Sequence, residues 1–331
     1  MSIRILSRQD ILSVASMKDM IEACRLAMKL YAEKQVDIPL RTNLDIAEHN
    51  GQSLYMTGYA ADADALGVKI VSVYPDNVQE GITAVPATMV LLDPKTGVVN
   101  CLMDGTTLTQ LRTGAISGLA TDLLARQDAS VMTLIGTGGQ AASQLEAILA
   151  VRPIRQVYVS GRDYAKARVF AQAMTRQFSK TYQVTIEATD QVDDAVALSD
   201  VITVVTTATK PVFSSDRLKP GAHVNGVGSF MPDMVEVDAG LFDRAGLVYV
   251  DTMDAFTEAG DFQQPLAQGK ISSQIVTGEL GQLVLGHTAR RTSDQEITFF
   301  KTTGNAVLDI VAAQRIYEIA VEQQMGQIID L

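Results

Sequence analysis

Cysteine and histidine are scarce in this chain of 331 residues, at two and three copies, and their placement excludes more than their number does. Cys24 and Cys101 have no metal-type spacing and lie in apolar segments, so both read as buried free thiols rather than a disulfide. His49, His223 and His287 are scattered, without an H-E-x-x-H or related pattern, and no metal site is expected. Long hydrophobic runs are missing as well. No stretch approaches the roughly 20 apolar residues of a membrane span. The N-terminal Met1-Ser-Ile-Arg-Ile-Leu6 has no apolar run followed by a small-residue cleavage site, so the expected location is the cytoplasm. Positive charge is also short, with 27 Lys and Arg against 38 Asp and Glu, a net charge of −11. Such a surface repels nucleic acid and anionic membrane, and no basic block offsets it. A small anionic ligand would need a local basic pocket.

What is present is an ordinary globular composition, 47% hydrophobic and 20% charged. The length suggests about two domains. Ser16 and Asp19 open a helix expected to run to about Gln35, with Met20, Cys24, Ala27 and Tyr31 along its apolar side. Strand-like runs follow at 54–59, 67–74, 87–92 and 98–103. The last two flank Asp93-Pro94-Lys95-Thr96-Gly97 and read as an antiparallel hairpin. This first part is α+β. A long helix is expected from Thr106 to about Arg126. Beyond it, strand-like runs at 131–135, 156–160, 184–187, 200–206 and 247–251 alternate with helical stretches, the mark of a parallel sheet covered on both faces. A short strand, 297–301, precedes a final helix over about 305–323. The fold class is α/β: a Rossmann-type dinucleotide-binding domain, 116–304, inserted in an α+β domain formed by 1–115 and 305–331.

The strongest local motif is strand, glycine loop, helix. Val131–Ile135 is followed at once by Gly136-x-Gly138-x-x-Ala141, and then by a helical segment through Leu149. Gly136 permits the tight turn, Gly138 lets backbone approach a pyrophosphate, and Ala141 replaces the third glycine while still packing helix against strand. The helix N-terminus offers free N–H groups to phosphate. The alternative is a plain turn with glycines for steric reasons. At the end of the second strand, where an acidic residue would accept the ribose hydroxyls of NAD, the chain reads Ser160-Gly161-Arg162, with Asp163 just beyond. A hydroxyl followed by a guanidinium suits a 2′-phosphate. The cofactor is therefore NADP(H) or NAD(H), with the former favoured, unless Arg162 is simply a surface residue at a helix start.

Three cations stand out before this motif. Lys69 lies inside a strand and shares a face with Val71 and Val73. Arg112 lies beside Leu108, Leu111 and Ala115 on the apolar side of the long helix, and Arg41 follows Pro39-Leu40. Charges in such settings are costly unless paired or bound to a ligand. They either pair with an internal Asp or Glu or form a carboxylate-binding cluster, and beside a cofactor domain the cluster is the better reading.

The combination of Pro39-Leu40-Arg41-Thr42, Gly67-Val68-Lys69, Met103-Asp104-Gly105, Leu111-Arg112-Thr113-Gly114-Ala115 and the phosphate loop resembles the ornithine cyclodeaminase/mu-crystallin family. Further matches are His223 to Gly228, Pro232-Asp233-Met234-x-Glu236, Glu279-Leu-Gly281, Arg291-Thr-Ser-Asp294 and Phe300-Lys301-Thr302-Thr303-Gly304. The likeness spans nearly the whole chain. It implies a homodimer joined through the antiparallel sheets of the N-terminal domains, with a substrate pocket between that domain and the nicotinamide. It implies that Arg41, Lys69 and Arg112 hold the α-carboxylate of a small amino- or imino-acid substrate, with Gly304 beside it. Thr83 and Arg112 would approach the cofactor, with Gly139 and Gln140 at the pyrophosphate and Ser160, Gly161 and Arg162 at the adenosine ribose. Thr206 or Thr207 would lie along the dinucleotide, Val227, Gly228 and Ser229 near the nicotinamide, and Thr303 at its far side.

One departure narrows the chemistry. True cyclodeaminases of this family place an Asp two residues after the glycine matching Gly228, and here that residue is Phe230. Asp233 is the substitute candidate if its loop turns inward; otherwise it caps a turn after Pro232. The segment is closer to the ketimine-reductase branch. The expected activity is hydride transfer between NAD(P)H and a C=N bond beside a carboxylate, as in pyrroline-2-carboxylate, with Lys69 delivering the proton. Ornithine cyclodeamination, amino-acid dehydrogenation (alanine, for example) and nucleotide-dependent ligand binding without catalysis remain the alternatives.

Overall fold

Alternating apolar residues early in the chain and short, continuous apolar runs after Val131 build two different sheets. The structure is a computed structural model that describes residues 2–331, so Met1 of the N-terminal segment lies outside the described residues. The chain divides into one unit of residues 1–112 with 305–331 and another of 113–304, three residues earlier than the boundary expected at 115.

The first unit holds strands β1 (Ser2–Leu6), β2 (Val36–Asp37), β3 (Thr42–Ile46), β4 (Gly51–Ala60), β5 (Ala65–Val73), β6 (Ala87–Leu92) and β7 (Val99–Asp104). A C-terminal strand, Gln327–Asp330, completes an eight-stranded sheet whose main path runs from it through β1, β7, β6, β5 and β4 to β2, with β3 on β4. All pairings are antiparallel except β1 with β7, which makes the sheet mixed. Helices α1 (Arg8–Val14) and α2 (Met17–Ala32) and the C-terminal helix (Ala306–Glu322) complete the unit. Ser16 caps α2 by accepting the Asp19 N–H at 3.1 Å, an arrangement worth about 1 kcal/mol. The C-terminal helix packs on α2 and on β4, β5 and β6, and so covers the face that carries Gly67, Lys69 and Val71. On the opposite face Leu66, Val68, Ile70, Val90, Leu92 and Leu102 are only partly covered.

Helix α3 (Gly105–Leu124) follows β7 directly. Asp104 accepts the Thr107 N–H at 2.6 Å, and a side chain at Gly105 would stand 2.8 Å from the Ala87 and Thr88 backbone, so only glycine lets the helix start there.

The second unit is an eight-stranded parallel sheet. Its strands are β8 (Val131–Ile135), β9 (Gln156–Ser160), β10 (Thr185–Ala188), β11 (Val201–Val204), β12 (His223–Gly226), β13 (Ala245–Val250), β14 (Gly278–Glu279) and β15 (Ile297–Lys301), in the order β10-β9-β8-β11-β12-β15-β13-β14. Helices α4 (Ala141–Val151), α5 (Tyr164–Tyr182) and α6 (Val192–Leu198) connect the early strands. The fold is the expected α/β class. β11 is shorter than the run 200–206, because side-chain bonds end it at both sides. Asp200 accepts the N–H groups of Ser130 and Val131, and the Thr206 N–H turns to Glu236. Among the described residues no helix is long and apolar enough to cross a membrane, and no cluster of His, Cys, Asp or Glu is placed to hold a metal ion.

Candidate active site

In the second unit the strand order reverses between β8 and β11, where a parallel sheet receives a dinucleotide at its carboxyl edge. The geometry of the loop after β8 suits that task. Gly136 has φ of +116°, its N–H donates to Ser160 O at 2.9 Å, and a Cβ there would stand 2.3 Å from Val205 O. Glycine is the residue that fits. At Gly138 a Cβ would meet nothing within 4 Å, so the backbone is open to a ligand. Gly139 and Gln140 lead into α4, and the buried Gln140 Oε1 has no hydrogen-bond partner. Ala141 is fully buried, as close helix packing requires. An open glycine and the free N–H groups of a helix start together fit a pyrophosphate-bearing cofactor.

At the end of β9, Ser160 is buried, Gly161 lies beside the Thr137 side chain, and Arg162 is exposed. Asp163 is spent on α5. Its Oδ1 accepts the N–H groups of Ala165 and Lys166 at 2.9 and 3.2 Å, so it caps the helix rather than standing ready for ribose hydroxyls.

The loops after β11 and β12 meet on Glu236, which is completely buried. Glu236 accepts the Thr206 N–H at 2.6 Å and hydroxyl at 3.0 Å, and the N–H groups of Gly228 and Ser229 at 2.6 and 2.9 Å. Lys301 stands 3.6 Å from it and 2.7 Å from Asp261, and Asp261 accepts the Glu236 N–H at 2.6 Å. Burial pushes the Glu236 carboxyl above its usual range, with Lys301 opposing. Val227 is buried and Thr207 exposed. After β15, Asp251 accepts the Thr302 hydroxyl and the Gly304 N–H, Gly304 has φ of +82°, and the buried Thr303 Oγ1 has no partner. His223 is structural. It bonds Thr298 and Asn225 through its two ring nitrogens, and burial holds its pKa down to about 3.

Phe230 and Asp233 are both exposed. The turn that carries Asp233 is pinned, since Gly260 N–H donates to Met231 O at 3.0 Å and the Gln264 amide to Pro232 O at 3.1 Å. No cap formed by the Asp233 side chain is present.

The first unit brings Lys69 and Arg112 together on a third residue. Lys69 Nζ is 2.6 Å from Asp309 Oδ2, and Arg112 Nε is 2.9 Å from Asp309 Oδ1. All three are buried. The internal acid that sequence reasoning allowed for therefore exists, yet it balances only one of the two cations. Burial lowers the Lys69 pKa to about 8; Arg112 and Arg41 push the same way, and Asp309 opposes them. Arg41 is exposed, as is Thr83, whose hydroxyl accepts the Val85 N–H at 3.4 Å and whose carbonyl accepts the Asn77 amide at 3.0 Å. Asp309 escaped the reading of the sequence. Its signal was a single charge inside Ala306–Ala313, an otherwise apolar, buried stretch of helix. Glu236 and Lys301 stood in the quoted motifs, but without a role.

A family model described as "Ornithine cyclodeaminase/mu-crystallin family" matches residues 1–324. A Delta(1)-pyrroline-2-carboxylate reductase of Bacillus cereus is 39% identical over 327 residues, covering 98% of this chain and 99% of the relative. The structure of Thermococcus litoralis Delta(1)-pyrroline-2-carboxylate reductase in complex with NADH and L-proline superposes with a TM-score of 0.92. It is 37% identical and covers 98% of this chain and 99% of that one. An archaeal alanine dehydrogenase dimer with bound NAD follows at a TM-score of 0.90 and 30% identity, each chain covered in full.

Proposed function

This chain belongs to the ornithine cyclodeaminase/mu-crystallin family, and from that premise we propose that it is an NAD(P)H-dependent reductase of cyclic ketimines that carry a carboxylate, with Δ1-pyrroline-2-carboxylate as substrate. The observation that carries the reading is the buried Lys69–Asp309–Arg112 cluster, where two cations face one carboxylate. One positive charge is left over in a place where an unbalanced charge is costly, and a substrate carboxylate balances it.

Arg112 uses only Nε on Asp309, so the rest of its guanidinium is available to grip the substrate carboxylate, with Arg41 as the second cation. Lys69 donates a proton to the imine nitrogen. Its pKa of about 8 lets it hold that proton at neutral pH and release it readily. The reduced nicotinamide, when bound, supplies the hydride to the imine carbon. Hydride and proton together convert C=N to CH–NH, and Lys69 regains its proton from solvent. In the second unit Gly136, Gly138, Gly139 and Gln140 would hold the pyrophosphate, Ser160 to Arg162 the adenosine ribose, and the segments at 206–207, 227–229 and 303 the nicotinamide half. The partly covered face of the first sheet, with Leu66, Val68 and Ile70, would bury itself against a second copy.

Ornithine cyclodeamination needs a carboxylate at the substrate amine. Phe230 occupies the expected place, and Asp233 sits on a pinned, exposed turn, so the reductase reading is preferred. The test gives purified protein NADPH or NADH with Δ1-pyrroline-2-carboxylate and, in parallel, ornithine with NAD. Steady nicotinamide oxidation with the imine supports the reductase; proline and ammonia from ornithine without net nicotinamide change would overturn it.

A further inference from the structure

The order β10-β9-β8-β11-β12 places the phosphate loop after β8 and the ribose-side Ser160 at the end of β9. The adenosine half of a dinucleotide is thereby committed to one side of the reversal. The other half lies over the ends of β11 and β12, where Thr206 and Val227 to Ser229 are found. These two loops touch: a side chain at Gly228 would stand 1.9 Å from Thr206 O.

Both loops turn N–H groups inward to one carboxylate. Glu236 takes Gly228 and Ser229 on Oε2 and Thr206 on Oε1. A trans peptide holds its C=O opposite its N–H, and the described chain has no cis peptide. The carbonyls preceding those N–H groups, of Val227 and Gly228, therefore point away from Glu236, and no described residue donates to either. The inward side is itself rigid, because Asp261 holds the Glu236 N–H and Lys301 bridges the two carboxylates.

Resting on the dinucleotide reading above, we infer that Glu236 is a positioning residue: by gathering the Gly228 and Ser229 N–H groups it presents the Val227 and Gly228 carbonyls outward as acceptors for the N–H donors of a nicotinamide carboxamide. The surface so formed has acceptors and no backbone donors at these peptides, which matches a primary amide and discriminates against a ring substituent without N–H.

The experiment measures binding by calorimetry, on the intact protein, of three 2′-phosphorylated ligands: NADP+, its 3-acetylpyridine analogue, and the ring-less 2′-phospho-ADP-ribose. The wild type is expected to prefer nicotinamide over acetylpyridine by about tenfold, the worth of one or two neutral hydrogen bonds. Glu236→Gln leaves the Lys301–Asp261 pair balanced but replaces an acceptor oxygen by an NH2 group. It should reduce that preference to about onefold while binding the ring-less ligand as the wild type does. Glu236→Asp keeps the charge and withdraws the oxygens from the peptides; it should lose the preference too, and carries the test if Glu236→Gln does not fold. An unchanged preference in a folded variant overturns the inference, as does a parallel loss for all three ligands, which would make Glu236 merely structural. Failure of the wild type to bind these ligands and also NAD+, which lacks the 2′-phosphate, would instead sink the dinucleotide reading, and this inference with it; binding of NAD+ alone moves the same comparison to the analogues without the 2′-phosphate.

Discussion

The Lys69 amine lies 2.6 Å from the Asp309 carboxylate, with both side chains buried. Asp309 favours the charged amine, while burial, Arg112 and Arg41 oppose it, and the balance settles near 8. If Lys69 gives the proton, kcat/KM should fall as pH rises through about 8. Asp309→Asn removes the one group that holds the proton on, so the falling limb should move to lower pH. A pH–rate profile in which the limb stays in place would remove Lys69 from the proton-delivery role. The variant also leaves two buried cations without a counter-charge, at a cost of about 3–5 kcal/mol in a denaturant titration.

Removing either cation has a different signature. Arg112→Ala leaves Asp309 and Lys69 as a balanced pair, so folding should survive while KM for the imino acid rises about 10- to 100-fold, the worth of charge-assisted hydrogen bonds to a carboxylate. Lys69→Met should reduce kcat about 100-fold or more, because the proton then comes from water. Steady-state kinetics separate the two. Equal effects on kcat and KM from both substitutions would argue against the division of roles.

What the sequence made legible were features whose cause is local. Val131–Ile135, Gln156–Ser160 and Ile297–Lys301 are short apolar runs, and the structure gives them those same limits. Lys69 and Arg112 stood out because a charge among apolar neighbours is itself a signal. Thr42–Ile46, polar and exposed, forms a strand only because β4 pairs with it, and Ser2–Leu6 finds its partner about a hundred residues away in β7. Such pairings leave little trace in periodicity. Asp309 obeys the same rule as Lys69, as the single charge in the buried apolar stretch Ala306–Ala313. The role of Glu236 exists only in the folded chain, because its donors come from positions 206, 228 and 229 and converge only when β11 and β12 lie side by side.

Cofactor choice turns on the end of β9. Asp163 is committed to capping α5, which leaves no acidic acceptor there, and Arg162 is exposed beside Ser160. NADPH should bind at least as well as NADH. Arg162→Ala should weaken NADPH about tenfold and NADH little, read by fluorescence titration of each. Equal weakening of both would show that Arg162 does not meet a 2′-phosphate.

The two glycines of the phosphate loop should fail in different ways. Gly136 has a positive φ, and its missing side chain is replaced by Val205 O, so Gly136→Ala must shift backbone where β8 and β11 lie together. It should lower Tm by several degrees, as expected for a loss of about 1–3 kcal/mol. Gly138 has open space around it, so Gly138→Ala should keep the wild-type Tm and lose dinucleotide affinity, because the added methyl occupies the approach that the pyrophosphate needs. Thermal melts with and without NADPH distinguish the cases: the Gly136 variant starts low, whereas the Gly138 variant starts at the wild-type value and gains less from the ligand. A Gly138→Ala protein stabilised by NADPH as much as the wild type would place the pyrophosphate somewhere other than this loop.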